Sequence, residues 1–250
     1  MGANATVSTQ EPAPLSEAQR LLDTFIAPSK AFTDLRRNAS WWAPFILIAI
    51  VSLLLINVVD QKIGFRKVTE NLIQLQPKQA ERIERLPADQ RDKVMAQQVT
   101  VTKIISYAVP LIALALYAIF AGVLFATLKF VASADIKYKA LFALIVYTRL
   151  PELLRALLAI VSILAGVSGD GFNLQNPVAA NPGYFIGPEG SAVLRALLTP
   201  LDLFTIWTMV LTAIGITCIG KVKTSTAFGV VFGWFAIVVL GRVALAAATS

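Results

Sequence analysis

Long stretches without a charged residue constrain the fold of this chain most strongly. Residues 38–59 contain no charge, and neither do residues 104–128. About 20 apolar residues are enough for a helix to cross the hydrocarbon core of a bilayer. Three further apolar regions follow, the first of which carries ionisable side chains. We therefore predict five transmembrane helices, at residues 41–59, 104–128, 139–166, 201–220 and 225–248.

The composition indicates a membrane protein rather than a soluble one. Charged residues make up 15% of the 250 residues, hydrophobic residues make up 56%, and the mean hydropathy is +0.69. A soluble domain has about 25% charged residues, so this chain has too few charges for a fully solvated surface. We predict an all-α integral membrane bundle of five transmembrane helices, with the lipid bilayer as its principal partner.

Two residue counts limit the chemistry that the chain can perform. There is no histidine, which removes the usual general base and the commonest metal ligand. The single cysteine, Cys218, lies in an apolar run, where a reactive thiolate is disfavoured. We therefore predict no catalytic residue, no cofactor and no metal site, and we expect a protein that is not an enzyme.

Lysine and arginine residues in the short flanks predict the orientation. They cluster before the first span, in the loop 129–139 and at residues 221–223, which all lie on one side of a five-helix topology. We expect the N-terminus in the cytoplasm, the C-terminus outside and a location in the bacterial inner membrane. Residues 60–103 are an exception to this rule, because their nine basic residues fall on the outer side of the predicted topology.

The net charge of +7 is spread over loops, so nucleic acid is not expected as a partner.

The N-terminal region divides into a polar tail and an amphipathic segment. Residues 1–14 are polar and contain proline, which predicts a disordered tail ahead of a single membrane domain over residues 15–248. Residues 15–37 have the apolar spacing of an amphipathic helix, broken at Pro28. This segment fits either a helix packed under its own bundle or an interfacial helix that docks a partner.

Two regions outside the spans differ in character. Residues 60–103 predict a helical extramembrane insert, with Pro77 and Pro87 between its helices. It fits a cap over the outer face or a partner-binding arm, and its last helix is expected to continue into the second span, kinked at Pro110. Residues 167–200 are rich in glycine, proline and asparagine and predict an irregular loop. We expect three of its aromatic side chains to anchor it at the membrane interface: Phe172, Tyr184 and Phe185.

Ionisable side chains inside the third span form the main candidate site. Arg149, Glu152 and Arg155 are spaced three apart and share one helix face. Pro151 is expected to kink this helix. Such charges are costly in a membrane. Three interpretations stay open: an internal Arg–Glu–Arg clamp, a site or translocation path for an anion or lipid headgroup, and snorkelling to the interface.

Two more charges are expected at the same level of the membrane. Thr199, Pro200 and Asp202 suit the N-cap, first and third positions of the fourth transmembrane helix. We predict that Asp202 contacts Arg155 or Arg242, since all three are expected near the outer boundary. The predicted intramembrane polar cluster comprises Tyr147, Arg149, Glu152, Arg155, Asp202 and Arg242.

Small residues at a spacing of four predict close helix packing. Gly229 and Gly233 form a GxxxG pattern in the last span, and Ala118, Gly122 and Ala126 repeat in the second. Packing within the chain is the first interpretation of both patterns. Formation of a homo-oligomer is left open.

Several short motifs, in the order in which they occur, resemble one known family. They are the segment from Phe25 to Phe32, the pair Asp34-Leu35, the run from Trp41 to Pro44, and the run from Tyr147 to Pro151. With the five predicted spans, the chain resembles the Yip (Ypt-interacting protein, Yip-one type) domain family, as a bacterial-type member, over roughly residues 20–248. The resemblance implies a five-helix membrane protein without a catalytic centre, whose eukaryotic members associate with prenylated small GTPases.

The chain departs from the eukaryotic pattern at one motif. The family's Asp-Leu-Tyr-Gly-Pro sequence stops here after Asp34-Leu35 and is followed by Arg36-Arg37. We therefore do not infer from the resemblance that this chain binds GTPases. We expect a non-enzymatic protein that organises membrane lipids or membrane and peripheral protein partners. The alternative is a small transporter or channel, or a lipid-binding protein, that uses the charged face of the third helix.

Overall fold

The computed structural model describes residues 13–166 and 169–249. The predicted disordered tail, residues 1–14, therefore lies outside the described residues except for its last two positions. The described residues form an all-helical fold without strands, which confirms the predicted class. The helices, in chain order, are α1 (Glu17–Ile26), α2 (Pro28–Asp34), α3 (Trp42–Lys62), α4 (Phe65–Gln74), α5 (Pro77–Glu84), α6 (Ala88–Ala132), α7 (Tyr138–Tyr147), α8 (Pro151–Leu164), α9 (Ala192–Leu198), α10 (Leu203–Gly220) and α11 (Thr224–Thr249).

Proline positions explain many of the helix boundaries. Pro28, Pro77 and Pro151 are the first residues of α2, α5 and α8. Proline suits this position because its fixed φ is already helical and its missing N–H would have had no helical partner. Pro87 precedes α6 directly. Pro110, by contrast, lies inside α6, which stays one continuous helix from the insert into the span, as predicted.

Four described helices are long and apolar enough to cross a membrane: α3, α6, α10 and α11. The third predicted span, 139–166, forms two shorter helices, α7 and α8, with a turn at residues 148–150 between them. The kink predicted at Pro151 is thus a complete break. The count of five spans is approximate, since the structure has four continuous helices and one broken pair.

Helix α7 is the most deeply buried element of the bundle. Leu141, Leu144 and Ile145 have no exposed surface. They belong to one apolar cluster that also contains Phe32 and Leu35, from α2 and its C-terminal end. The N-terminal hairpin α1–α2 therefore packs under its own bundle, although Leu22 and Ile26 of α1 remain exposed.

Close helix approach occurs at a glycine that the spacing patterns do not include. A Cβ atom on Gly215 of α10 would lie 2.1 Å from Cδ1 of Leu144 in α7, so only glycine fits there without displacing the leucine. Gly229 and Gly233 of α11 are exposed, and a Cβ atom on either would meet no atom within 4 Å. The GxxxG pattern therefore does not pack within the described chain, and the first interpretation of it was wrong.

The described part of the predicted irregular loop, residues 169–200, is more ordered than predicted. It contains a 3-10 turn over Pro182–Phe185 and helix α9, which Ser191 caps by accepting a hydrogen bond from the Leu194 amide at 3.2 Å. Phe172 is buried in a second apolar cluster with residues of α3, α4 and α8, so it does not sit at the interface as expected. Phe185 is exposed, as an interfacial anchor would require.

Candidate functional site

A cleft of about 1490 Å³ runs between the helix bundle and the extramembrane insert. One end is lined by Thr208 and Thr212 in the middle of α10 and by Arg149. The other end is lined by α5 and the 169–191 loop, and α11 forms an apolar wall along the side. The cleft thus joins a polar region outside the spans to the middle of the bundle.

Arg149 lies at the end of the cleft that is lined by Thr208 and Thr212, which we call the deep end. It reaches this position because the helix breaks before Pro151. It lies in the turn 148–150, where its guanidinium carbon is 5.1 Å from the ring centre of Tyr117 and 5.8 Å from that of Phe120. Its Nε is buried and has no hydrogen-bond partner. Among the described residues, no carboxylate lies within 4.0 Å of Arg149. The cation is therefore held by aromatic faces rather than by a counter-charge.

Glu152 pairs with only one of its two neighbouring arginines. Its Oε2 lies 2.5 Å from an Nη of Arg155, and both side chains are partly buried. The same oxygen has no hydrogen bond of good geometry, so the contact is an ion pair rather than an aligned hydrogen bond. Arg149 takes no part in it. The predicted Arg–Glu–Arg clamp is thus a single Glu–Arg pair.

Asp202 has a different role from the one predicted. It is itself the N-cap of α10, and its Oδ1 accepts hydrogen bonds from the amides of Phe204 at 2.9 Å and Thr205 at 3.2 Å. Its Oδ2 accepts a bond from Asn181 at 3.3 Å. Helix α10 begins at Leu203, so Thr199 is not its N-cap.

The predicted contact of Asp202 with an arginine is wrong. No ion pair within 4.0 Å joins it to Arg155 or Arg242 in the described chain, and its oxygens accept instead from the first turn of α10 and from Asn181. The positive end of the helix replaces the arginine as the stabilising charge. All three residues nevertheless line the same cleft, with Arg242 exposed on α11.

Tyr147 belongs to a separate polar network rather than to the cleft. Its hydroxyl donates to Oε2 of Glu17 at 2.8 Å and accepts from Arg20 at 3.4 Å. Arg20 has no exposed surface and binds Asp34 through its Nη2 at 2.8 Å and its Nε at 3.1 Å. Burial alone would lower the pKa of Arg20, but the hydrogen bonds to Tyr147 and Asp34 and the charge of Glu17 raise it overall.

The sequence reasoning missed both Arg20 and Thr208. Arg20 lies in the predicted amphipathic segment 15–37, and Glu17, one turn before it, is a local signal of pairing. Thr208 is 2% exposed, lines the cleft, and has a hydroxyl without a hydrogen-bond partner. Nothing in the sequence distinguishes it from Thr212, whose hydroxyl bonds to that of Thr148 at 3.0 Å.

No group of three or more acidic or cysteine residues that could hold a metal occurs in the described ranges.

These features define a multi-pass helical membrane protein with a cationic cleft. The family model of the Yip1 domain matches residues 22–245, nearly the whole chain. The protein belongs to this family. No curated protein sequence and no solved structure matches it.

Proposed function

We propose that this protein is a non-enzymatic membrane protein that binds membrane lipid in the cleft and so organises lipids, or lipids together with partner proteins. The observation that carries this proposal is a cleft that reaches Arg149 and has an apolar wall on α11. If no cavity reached the third span and all of its charges were paired within the chain, a purely structural scaffold would be favoured. Arg149, without a carboxylate partner at the deep end of an open cleft, favours a binding site.

The dimensions and lining of the cleft suit a lipid better than a small polar ligand. Small-molecule sites have volumes of about 300–1,000 Å³, and this cleft is larger. Its wall includes Trp234, Phe235 and Val238 of α11, which can contact acyl chains. Its lining also carries charged side chains, including Arg149 and Arg242, which could hold a headgroup.

Transport is the second candidate, because a broken helix that lines a cavity is typical of transporters. Two features favour binding over conduction. Residues of α7 do not line the cleft, and its lining on α10 ends at Thr212. Beyond that point the fully buried Leu144 of α7 packs against Gly215 of α10. We propose an inner-membrane location with the N-terminus in the cytoplasm, which places the open end of the cleft on the outer side.

Native mass spectrometry of the protein purified from membranes tests the proposal. Val238→Trp should fill the cleft and reduce the amount of retained lipid severalfold. Ile237→Trp is the matched control, because Ile237 is equally exposed on α11 but does not line the cleft. Equal retention of lipid by both variants, or no retained lipid in the parent protein, would overturn the proposal.

A further inference from the structure

We propose that the deep end of the cleft is a phosphate site, formed by Arg149 and Thr208, that takes the phosphate of an anionic phospholipid. The inference rests on the proposed function, since it names the chemistry of the lipid bound in the same cleft. Two unsatisfied donors and a cation with no carboxylate within 4.0 Å carry it.

The two donors belong to neighbouring parts of the fold. The Thr212 hydroxyl donates to the Thr208 carbonyl at 2.8 Å and contacts the Thr148 hydroxyl at 3.0 Å. Thr148 directly precedes Arg149. These bonds hold the turn 148–150 against the helical turn that carries Thr208. Both Arg149 and Thr208 line the cleft at this point.

Both donors lack a partner although they are buried. The Nε of Arg149 and the hydroxyl of Thr208 have no hydrogen-bond partner, and Thr208 is 2% exposed. Buried polar groups in native proteins are nearly always paired, so each exception calls for a physical explanation. A ligand that accepts from both groups would satisfy them together.

The ligand should be an anion, because the nearby carboxylates are already engaged. Glu152 pairs with Arg155, and Asp202 accepts from the first turn of α10 and from Asn181. Arg149 has no carboxylate within 4.0 Å among the described residues, and Glu152, whose charge it feels at longer range, is bound to Arg155. A buried cation without a directly bound counter-ion is costly. An anion beside Arg149 would remove that cost.

Phosphate fits this donor set better than a simple ion. The planar guanidinium of arginine matches two oxygens of a phosphate, and further oxygens remain to accept from a hydroxyl. The wall on α11 is lined by apolar residues from Val231 to Val239, and Arg242 lies further along it. A phosphate that carries acyl chains would contact the donors and this wall at once.

The test compares lipids that differ in the headgroup alone. The purified full-length protein, in a neutral detergent, is titrated with phosphatidylglycerol and with diacylglycerol of the same acyl chains, and binding is measured by native mass spectrometry. We expect phosphatidylglycerol to bind at least tenfold more tightly. Thr208→Val removes the hydroxyl with little change in shape and should weaken phosphatidylglycerol about tenfold. Arg149→Gln should weaken it further.

Thr217→Val is the control, since its hydroxyl bonds to the Ile214 carbonyl on the same helix and does not line the cleft. Equal binding of the two lipids would overturn the phosphate site while leaving the lipid-binding proposal intact. Binding of neither lipid would overturn both. Displacement of phosphatidylglycerol by millimolar glycerol phosphate would support the phosphate chemistry but overturn a lipid as its source. Because the comparison of lipids uses the unaltered protein, it holds even where Arg149→Gln fails to fold.

Discussion

Tyr147 donates a 2.8 Å hydrogen bond to Glu17, a residue 130 positions earlier in the chain. The bond fastens the N-terminal hairpin to the last residue of α7, immediately before the turn that carries Arg149. Arg20 lies at the centre of the contact, fully buried, and bonds to Asp34 at the end of α2. The N-terminal hairpin and the deep end of the cleft therefore meet at one structural element, the C-terminal end of α7 and the turn that follows it.

Removing the tyrosine hydroxyl should loosen this hairpin. Tyr147→Phe deletes a hydrogen bond to a charged group, which contributes about 1.5–3 kcal/mol. We expect destabilisation of that size, together with faster hydrogen exchange over residues 17–34, measured by mass spectrometry in detergent.

Tyr138→Phe provides the matched control for Tyr147→Phe. The Tyr138 hydroxyl donates to the Ala118 carbonyl at 3.0 Å, but this residue is exposed and the acceptor is neutral. The control should lose about 0.5–1.5 kcal/mol and leave exchange in the hairpin unchanged. An equal increase in exchange for both variants would contradict the role of the network.

Breaking the pair between Glu152 and Arg155 should destabilise the bundle. Glu152→Gln leaves the arginine without its counter-charge, and breaking a buried pair costs roughly 3–5 kcal/mol. Since both side chains are partly exposed, we expect the lower end of this range in equilibrium unfolding. Glu81→Gln is the control, because the Glu81–Arg85 pair is highly exposed and should contribute less than about 1 kcal/mol. Unchanged stability of Glu152→Gln would show that this pair does not support the fold.

Enlarging Gly215 should separate α10 from α7. The added Cβ of Gly215→Ala would overlap Leu144, which is fully buried and cannot move aside freely. Overpacking of this kind costs about 1–3 kcal/mol, so the melting temperature should fall. Gly229→Ala, where a Cβ meets nothing within 4 Å, should leave it unchanged or raise it slightly through the better helix propensity of alanine. A melting temperature that does not fall in Gly215→Ala would contradict the close approach of the two helices.

The orientation can be tested with single cysteines in a Cys218→Ser background. We expect a membrane-impermeant thiol reagent added to intact cells to label Lys78→Cys in the insert but not Lys223→Cys in the loop before α11. Labelling of the second position alone would reverse the proposed topology. This result would also decide whether the basic insert is a true exception to the positive-inside rule.

The fold was more predictable than the site. Apolar runs predicted α3, α6, α10 and α11 because a helix that spans a membrane must satisfy its backbone internally and present apolar side chains. The order of the motifs also predicted the family. The N-cap of α10 is Asp202, three residues beyond the predicted Thr199, since both residue types can cap a helix and the sequence alone does not show at which of them the helix begins.

The sequence by itself determined a helical membrane protein, its helical insert and the residues that could carry charge into the bundle. Only the tertiary structure decided which of those charges meet. Tyr147 and Arg149 are two positions apart, yet one binds the N-terminal hairpin and the other faces the cleft. Side chains two positions apart point to nearly opposite sides of a helical turn, and the turn at residues 148–150 ends α7 just after Tyr147. Hydrogen bonds across more than a hundred residues leave no local pattern, because they depend on how the helices pack.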